Sequence, residues 1–165
     1  MDRIVQKIIT IVIILSLLPL LLASPKVIDS KKKEIIINDI AIPVLNYHKV
    51  DEQKIALSIS PQEFEEQIKY LAKEGYNTIT PSEMMNALEY GTPLPEKPIM
   101  ITFDDGYLDN YTNAYPILKK YGFTATIFLV TGFIGNDPRF MNWEEIKEMK
   151  ANGFVFGSHT VNHKS

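Results

Sequence analysis

Ile99-Met100-Ile101-Thr102-Phe103-Asp104-Asp105-Gly106 is an apolar run that stops abruptly at two carboxylates and a glycine. The run reads as a buried strand over 99–103, with Asp104 and Asp105 delivered at its carboxyl end and Gly106 turning the chain away. On one side of it, residues 91–98 hold three prolines and form a loop. On the other, a helix is expected over about 108–121, bent or restarted at Pro116 and ended by Gly122.

The same alternation continues in both directions. Upstream, residues 43–47 read as the first strand, and Ser60-Pro61-Gln62-Glu63 is a capping box with proline at the first helical position. Phe64, Ile68 and Leu71 follow at helical spacing until Gly75 stops the helix. A short strand at 78–80 leads into Thr80-Pro81-Ser82-Glu83, the same start signal, for a helix to about Tyr90. Downstream, residues 124–130 form a β-branched and aromatic strand, Asn142-Trp143-Glu144-Glu145 caps a helix ending near Asn152-Gly153, and residues 154–158 lead to His159. Five strands alternating with helices predict one α/β domain with a parallel sheet over 42–165.

The rest of the chain of 165 residues is of another kind. Arg3 and Lys7 precede 8–22, an aliphatic run broken only by Thr10, Ser16 and Pro19. Residues 1–25 therefore read as a hydrophobic helix serving as a membrane anchor or a cleaved signal, which makes the protein exported. Residues 26–41, with Lys31-Lys32-Lys33, read as a polar linker. A formal net charge of −3 and the lack of a basic stripe interleaved with aromatics exclude nucleic acid as a partner. With no cysteine, any metal must be held by nitrogen and oxygen.

His159-Thr160-Val161-Asn162-His163 supplies that nitrogen. Two histidines four apart share one side of a helical turn, so both imidazoles reach a single cation. With Asp105 they make a set of one oxygen and two nitrogen ligands, leaving positions open for water and substrate. Such a cation activates water and polarises a carbonyl, as amide hydrolysis requires, while Asp104 stays free to handle protons. The third histidine, His48, also follows a strand. Each segment alone has a plainer meaning: Asp-Gly after a strand forms a turn, and a histidine at a strand end satisfies a backbone group. Trp143 suits either a sugar platform or a core anchor in the first turn of its helix.

From about Ile42 onward the chain resembles the polysaccharide deacetylase family, the NodB-homology or carbohydrate esterase family 4 domain. Thr102-Phe103-Asp104-Asp105-Gly106 is similar to its first motif and His159-Thr160-Val161-Asn162-His163 to its second. Pro43-Val44-Leu45-Asn46-Tyr47-His48-Lys49-Val50 is similar to the start of the branch that holds poly-β-1,6-N-acetylglucosamine deacetylases. The resemblance implies a distorted (β/α)-barrel, with Asp104 as general base, His48 as general acid, and Asp105, His159 and His163 on one divalent ion, usually zinc. It also implies an N-acetylated polysaccharide such as chitin, peptidoglycan or poly-N-acetylglucosamine as substrate.

The family continues past its second motif through an arginine-containing motif, an aromatic groove wall and a late histidine, so the resemblance covers an incomplete barrel. Inner-face positions such as Ile127 and Leu129 are then expected to lack opposing layers. The alternative to an enzyme is an inactive wall-binding or interaction remnant. A phosphatase that uses a strand-end aspartate as nucleophile is disfavoured by the paired histidines.

Overall fold

In chain order the elements are β1 (Val44–Tyr47), β2 (Lys49–Val50), β3 (Ser58–Ile59), α1 (Pro61–Lys73), β4 (Asn77–Thr78), α2 (Pro81–Tyr90), β5 (Pro98–Phe103), a π-helical turn (Asn110–Ala114), α3 (Tyr115–Lys120), β6 (Thr126–Leu129), α4 (Trp143–Ala151) and β7 (Val155–Ser158). This computed structural model describes residues 41–164. The hydrophobic helix and nearly all of the polar linker expected from the sequence lie outside the described residues. Among the described residues no helix is long and apolar enough to cross a membrane.

Short-range chemistry sets the helix starts. The Ser60 hydroxyl accepts the Glu63 N–H at 3.2 Å while the Glu63 carboxylate accepts the Ser60 N–H at 3.3 Å, so α1 opens on a closed capping box. Thr80 and Glu83 repeat it at α2, and Asn142 and Glu145 at α4. Pro116 falls in the first turn of α3, where its missing N–H costs nothing, and the residues before it wind into the π-helical turn. The restart expected at Pro116 thus falls at the junction of the π-helical turn and α3.

The main sheet is mixed with helices but parallel throughout. β5 pairs with β1 along Met100–Phe103, with β4 at Pro98 and Ile99, and with β6 at Thr102 and Phe103; β6 pairs in turn with β7. β2 and β3 make a separate ladder of two residues each, too short to leave a period in the sequence.

One face of the sheet meets the helices. Leu45, Tyr47, Ile99, Ile101, Phe103, Ile127 and Leu129 pack there against Phe64 and Ile68 of α1, Leu118 of α3 and Met149 of α4. Tyr47, Phe64 and Phe103 form a ring cluster with centroids 5.1, 5.5 and 5.9 Å apart. The expectation for Ile127 and Leu129 is corrected here: at 1% and 6% exposure both are covered, because they face the helix layer. The opposite face carries the alternate residues Asn46, Thr102, Thr126 and Phe128. That face, prolonged past the strand ends, carries His48 and Asp104.

Candidate active site

β1, β5 and β7 all run in the same direction, so the residues after them collect on one rim. His48 follows β1, Asp104 and Asp105 follow β5, and His159 follows β7. The ends are tied by the sheet's own hydrogen bonds. The Asp104 N–H donates to the Tyr47 carbonyl at 2.9 Å, the Val130 N–H to the Asp105 carbonyl at 3.1 Å, and the His159 N–H to the Leu129 carbonyl at 2.7 Å.

Asp105 and the two histidines meet. His159 Nε2 lies 3.5 Å and His163 Nε2 3.1 Å from Asp105 Oδ1, and a ligand atom from each residue falls within 4.8 Å of the others. The four-residue spacing works differently from the expected helical turn. Residues 159–163 form a bend in which Thr160 and His163 have φ of +66° and +53°, and the His163 N–H donates to Thr160 Oγ1 at 3.0 Å. The segment crosses beside Gly132 and cannot continue as helix, because the Thr160 and Val161 carbonyls accept the Thr131 and Gly132 N–H groups instead.

Asp105 itself has φ +71°. A non-glycine residue in that region costs on the order of 1–3 kcal/mol, and three such positions at one site store strain where ligands must point inward.

The donor set fits a divalent cation. Asp105 Oδ1 is buried with no hydrogen-bond partner, and a buried carboxylate oxygen needs a positive partner. Ligands 2.0–2.1 Å from a tetrahedral zinc lie about 3.3 Å from one another, close to the two separations from Asp105 Oδ1. The imidazoles stay partly open to solvent, with side-chain exposures of 36% and 56%. That leaves an approach for water and substrate.

Asp104 and His48 stand alongside. His48 Nε2 is 3.7 Å from Asp104 Oδ2, and Asn46 Nδ2 donates to the same oxygen at 3.0 Å. The start of the π-helical turn holds the segment around His48: Asn110 Nδ2 donates to the His48 carbonyl at 2.8 Å, and Asp109 Oδ1, just before the turn, accepts the Val50 N–H at 2.8 Å. Burial pushes the Asp109 carboxyl above its usual range, against the pull of the Val50 N–H and the Lys49 ammonium. Lys49 is lowered by its own burial, but its hydrogen bond to Asp51 and the charge of Asp109 more than reverse that, and it ends raised. Tyr107, stacked on Phe140 at 4.8 Å, has its phenol raised first by burial and then by the negative charge of Asp105.

His48, Asp104, Asp105, His159 and His163 therefore all reach one rim. Asn46, Asn110 and Tyr107 were missed. Asn46 had a visible signal, since it precedes His48 by two on the same strand and so shares its face. Trp143 is 55% exposed, which overturns the core-anchor reading.

A parallel α/β domain with one carboxylate and two imidazoles converging at its strand ends, and a second carboxylate beside them, has the fold and donor set of a metal-dependent hydrolase. Comparison with known proteins agrees. The family model for polysaccharide deacetylase matches residues 91–165. YxkH of Bacillus subtilis is 43% identical over 122 residues, which covers 74% of this chain and 43% of YxkH. The poly-beta-1,6-N-acetyl-D-glucosamine N-deacetylase of Staphylococcus aureus is 32% identical over 153 residues, covering 80% and 52%. Among solved structures, the Streptococcus pyogenes deacetylase PplD in complex with acetate superposes with a TM-score of 0.71 at 35% identity over 76% of this chain and 58% of PplD. IcaB from Ammonifex degensii gives 0.65 at 39% identity, over 73% and 53%. The chain matches the polysaccharide deacetylase family over residues 91–165 and has the fold of its NodB-type domains. It spans about half the length of the curated relatives it matches.

Proposed function

We propose that this protein hydrolyses N-acetyl groups on an extracellular N-acetylglucosamine polymer, with poly-β-1,6-N-acetylglucosamine the favoured substrate. The observation that carries the reading is the meeting of Asp105, His159 and His163 beside a second carboxylate and a third imidazole. The likeness to the Staphylococcus aureus enzyme supports the choice of polymer.

Asp105, His159 and His163 would hold a divalent cation, zinc by our choice, which would supply Lewis acidity toward water and the acetyl carbonyl. The chain's own residues do the rest. Asp104 accepts the proton lost by the attacking water as the new C–O bond forms. His48 donates a proton to the glucosamine nitrogen as the C–N bond breaks, so acetate and a free amine leave. Proton exchange with bulk water returns Asp104 and His48 to their starting states between turnovers, since both side chains keep some exposure. Burial of Asp105 keeps its oxygen from being satisfied by water, so the ligand role is not lost to solvent.

The apolar run at 8–22 supports export, with the domain on the outer side of the membrane. Cell fractionation tests it, and recovery of full-length protein from the cytoplasm of the native host overturns it.

The test of function is acetate release by the full-length protein from β-1,6- and β-1,4-linked N-acetylglucosamine oligomers, with and without a chelator. Release that is lost on chelation and in Asp104→Asn supports the reading. Polymer binding with no acetate release under any divalent ion turns the protein into a binding remnant.

A further inference from the structure

We propose that Asn46 is a positioning residue that fixes the Asp104 carboxylate, and that the buried hydroxyl of Thr102 sets the orientation of Asn46. The inference rests on the reading of Asp104 as the base and adds the parts that aim it.

The three residues are brought together by sheet register. Asn46 on β1 and Thr102 on β5 are direct Cα partners in a parallel pair, so their side chains stand side by side on the face away from the helices. Asp104 lies two residues after Thr102 and shares that face. Thr102 Oγ1 donates to Asn46 Oδ1 at 2.8 Å, and Asn46 Nδ2 donates to Asp104 Oδ2 at 3.0 Å.

The direction of this chain follows from donor chemistry. Thr102 is 6% exposed, so its O–H must find a protein acceptor. Its other choice, the Leu45 carbonyl, is at 3.4 Å, so the nearer Asn46 oxygen takes the bond. An amide whose oxygen is claimed on one side must present its NH2 on the other. Asn46 is exposed to the cleft, where an unclaimed amide would rotate and an unclaimed carboxylate would turn with it. Among the described residues, the side-chain hydrogen bond to Asp104 falls on Oδ2, which leaves Oδ1 to meet water.

The relay predicts a particular pattern of losses. Asn46→Ala lowers kcat by about tenfold to a hundredfold, the range expected of a misplaced reacting group, while KM and zinc affinity stay within twofold or so. Thr102→Val gives a smaller fall in kcat, and Thr102→Ser, which keeps the hydroxyl, restores it. Because Thr102 acts through Asn46, the double variant Asn46→Ala/Thr102→Val is no slower than Asn46→Ala alone.

A second readout is free of turnover. In 15N spectra of the full chain with zinc, the side-chain NH2 signals of Asn46 should move in Thr102→Val and in Asp104→Ala and return in Thr102→Ser. Multiplied kinetic losses in the double variant overturn the relay, as do unmoved Asn46 signals in Thr102→Val. A joint loss of zinc affinity in Asn46→Ala assigns Asn46 to the fold and also overturns it. Wild-type protein that releases no acetate defeats the parent reading instead, and the spectra still decide whether the contact exists.

Discussion

Gly132 sits so close beneath Val161 that a Cβ placed on it would lie 2.5 Å from the Val161 carbonyl oxygen. The same glycine donates its N–H to that oxygen at 2.8 Å. Val161 lies between His159 and His163, so the loop after β6 serves as the floor on which both ligands rest.

Gly132→Ala should therefore push Val161 outward and separate the imidazoles. Zinc affinity should fall by about tenfold to a hundredfold, as for other losses of support behind a ligand. Titration against a competing chelator measures this. Unchanged affinity would show that the bend is held by other contacts.

Removing a ligand should do more. His159→Ala and His163→Ala should each abolish tight zinc binding, while Asp104→Asn should bind zinc and lose turnover. Thermal melts provide a second reading. Zinc at 100 times its dissociation constant should stabilise the wild-type protein by about 2.7 kcal/mol, and this gain should vanish in the histidine variants. Calorimetry showing equal affinity in both histidine variants would remove them from the ligand set.

At α4, Asn142 Oδ1 accepts the Glu144 and Glu145 N–H groups at 2.9 and 3.1 Å. Asn142→Ala should cost about 1 kcal/mol, and Asn142→Asp, which keeps the acceptor, much less. Urea denaturation compares them. Equal losses would mean that something other than the cap holds this end of the helix.

Acid should reveal the Asp137–Arg139 pair. Hydrogen bonds from the Arg139 guanidinium and its backbone N–H lower the Asp137 carboxyl from 3.8 to about 2. A folded-state pKa below the unfolded one adds stability that is complete above pH of about 4 and is lost as the pH falls towards about 2. In Asp137→Asn this part of the acid slope should be missing. The pair is exposed, so the difference should shrink in added salt, and a salt-independent slope would point to other groups.

Much of this was written locally. The capping boxes at Ser60, Thr80 and Asn142 join groups three residues apart, so they are visible before any fold is known. Asp104 and Asp105 were placed by the end of an apolar run. The faces of β6 were harder, because a strand buried on both sides does not tell which residues meet helices. Ile127 and Leu129 carry no mark of their side in the sequence, and only the helix layer covering them decides it. The spacing of His159 and His163 was read as helical, although a bend with positive φ at Thr160 brings the rings together as well. Asn46 and Asp104 are 58 residues apart, and only the register of β1 on β5 joins them.

β6 contributes no ligand, yet its end sets the distance between the two halves of the metal site. The Val130 N–H holds the carbonyl of Asp105, and the Leu129 carbonyl holds the N–H of His159. Deleting one residue from β6 would shift one of these anchors by about 3.3 Å, a full step along a strand, and would exchange the faces of Ile127 and Phe128. Apolar replacements within Thr126–Leu129 change only what fills the layer. An insertion or deletion there changes the ruler itself, whereas a replacement that keeps the size of Leu129, which packs against Gly106, or of Phe128, which packs against Gly157, leaves it unchanged.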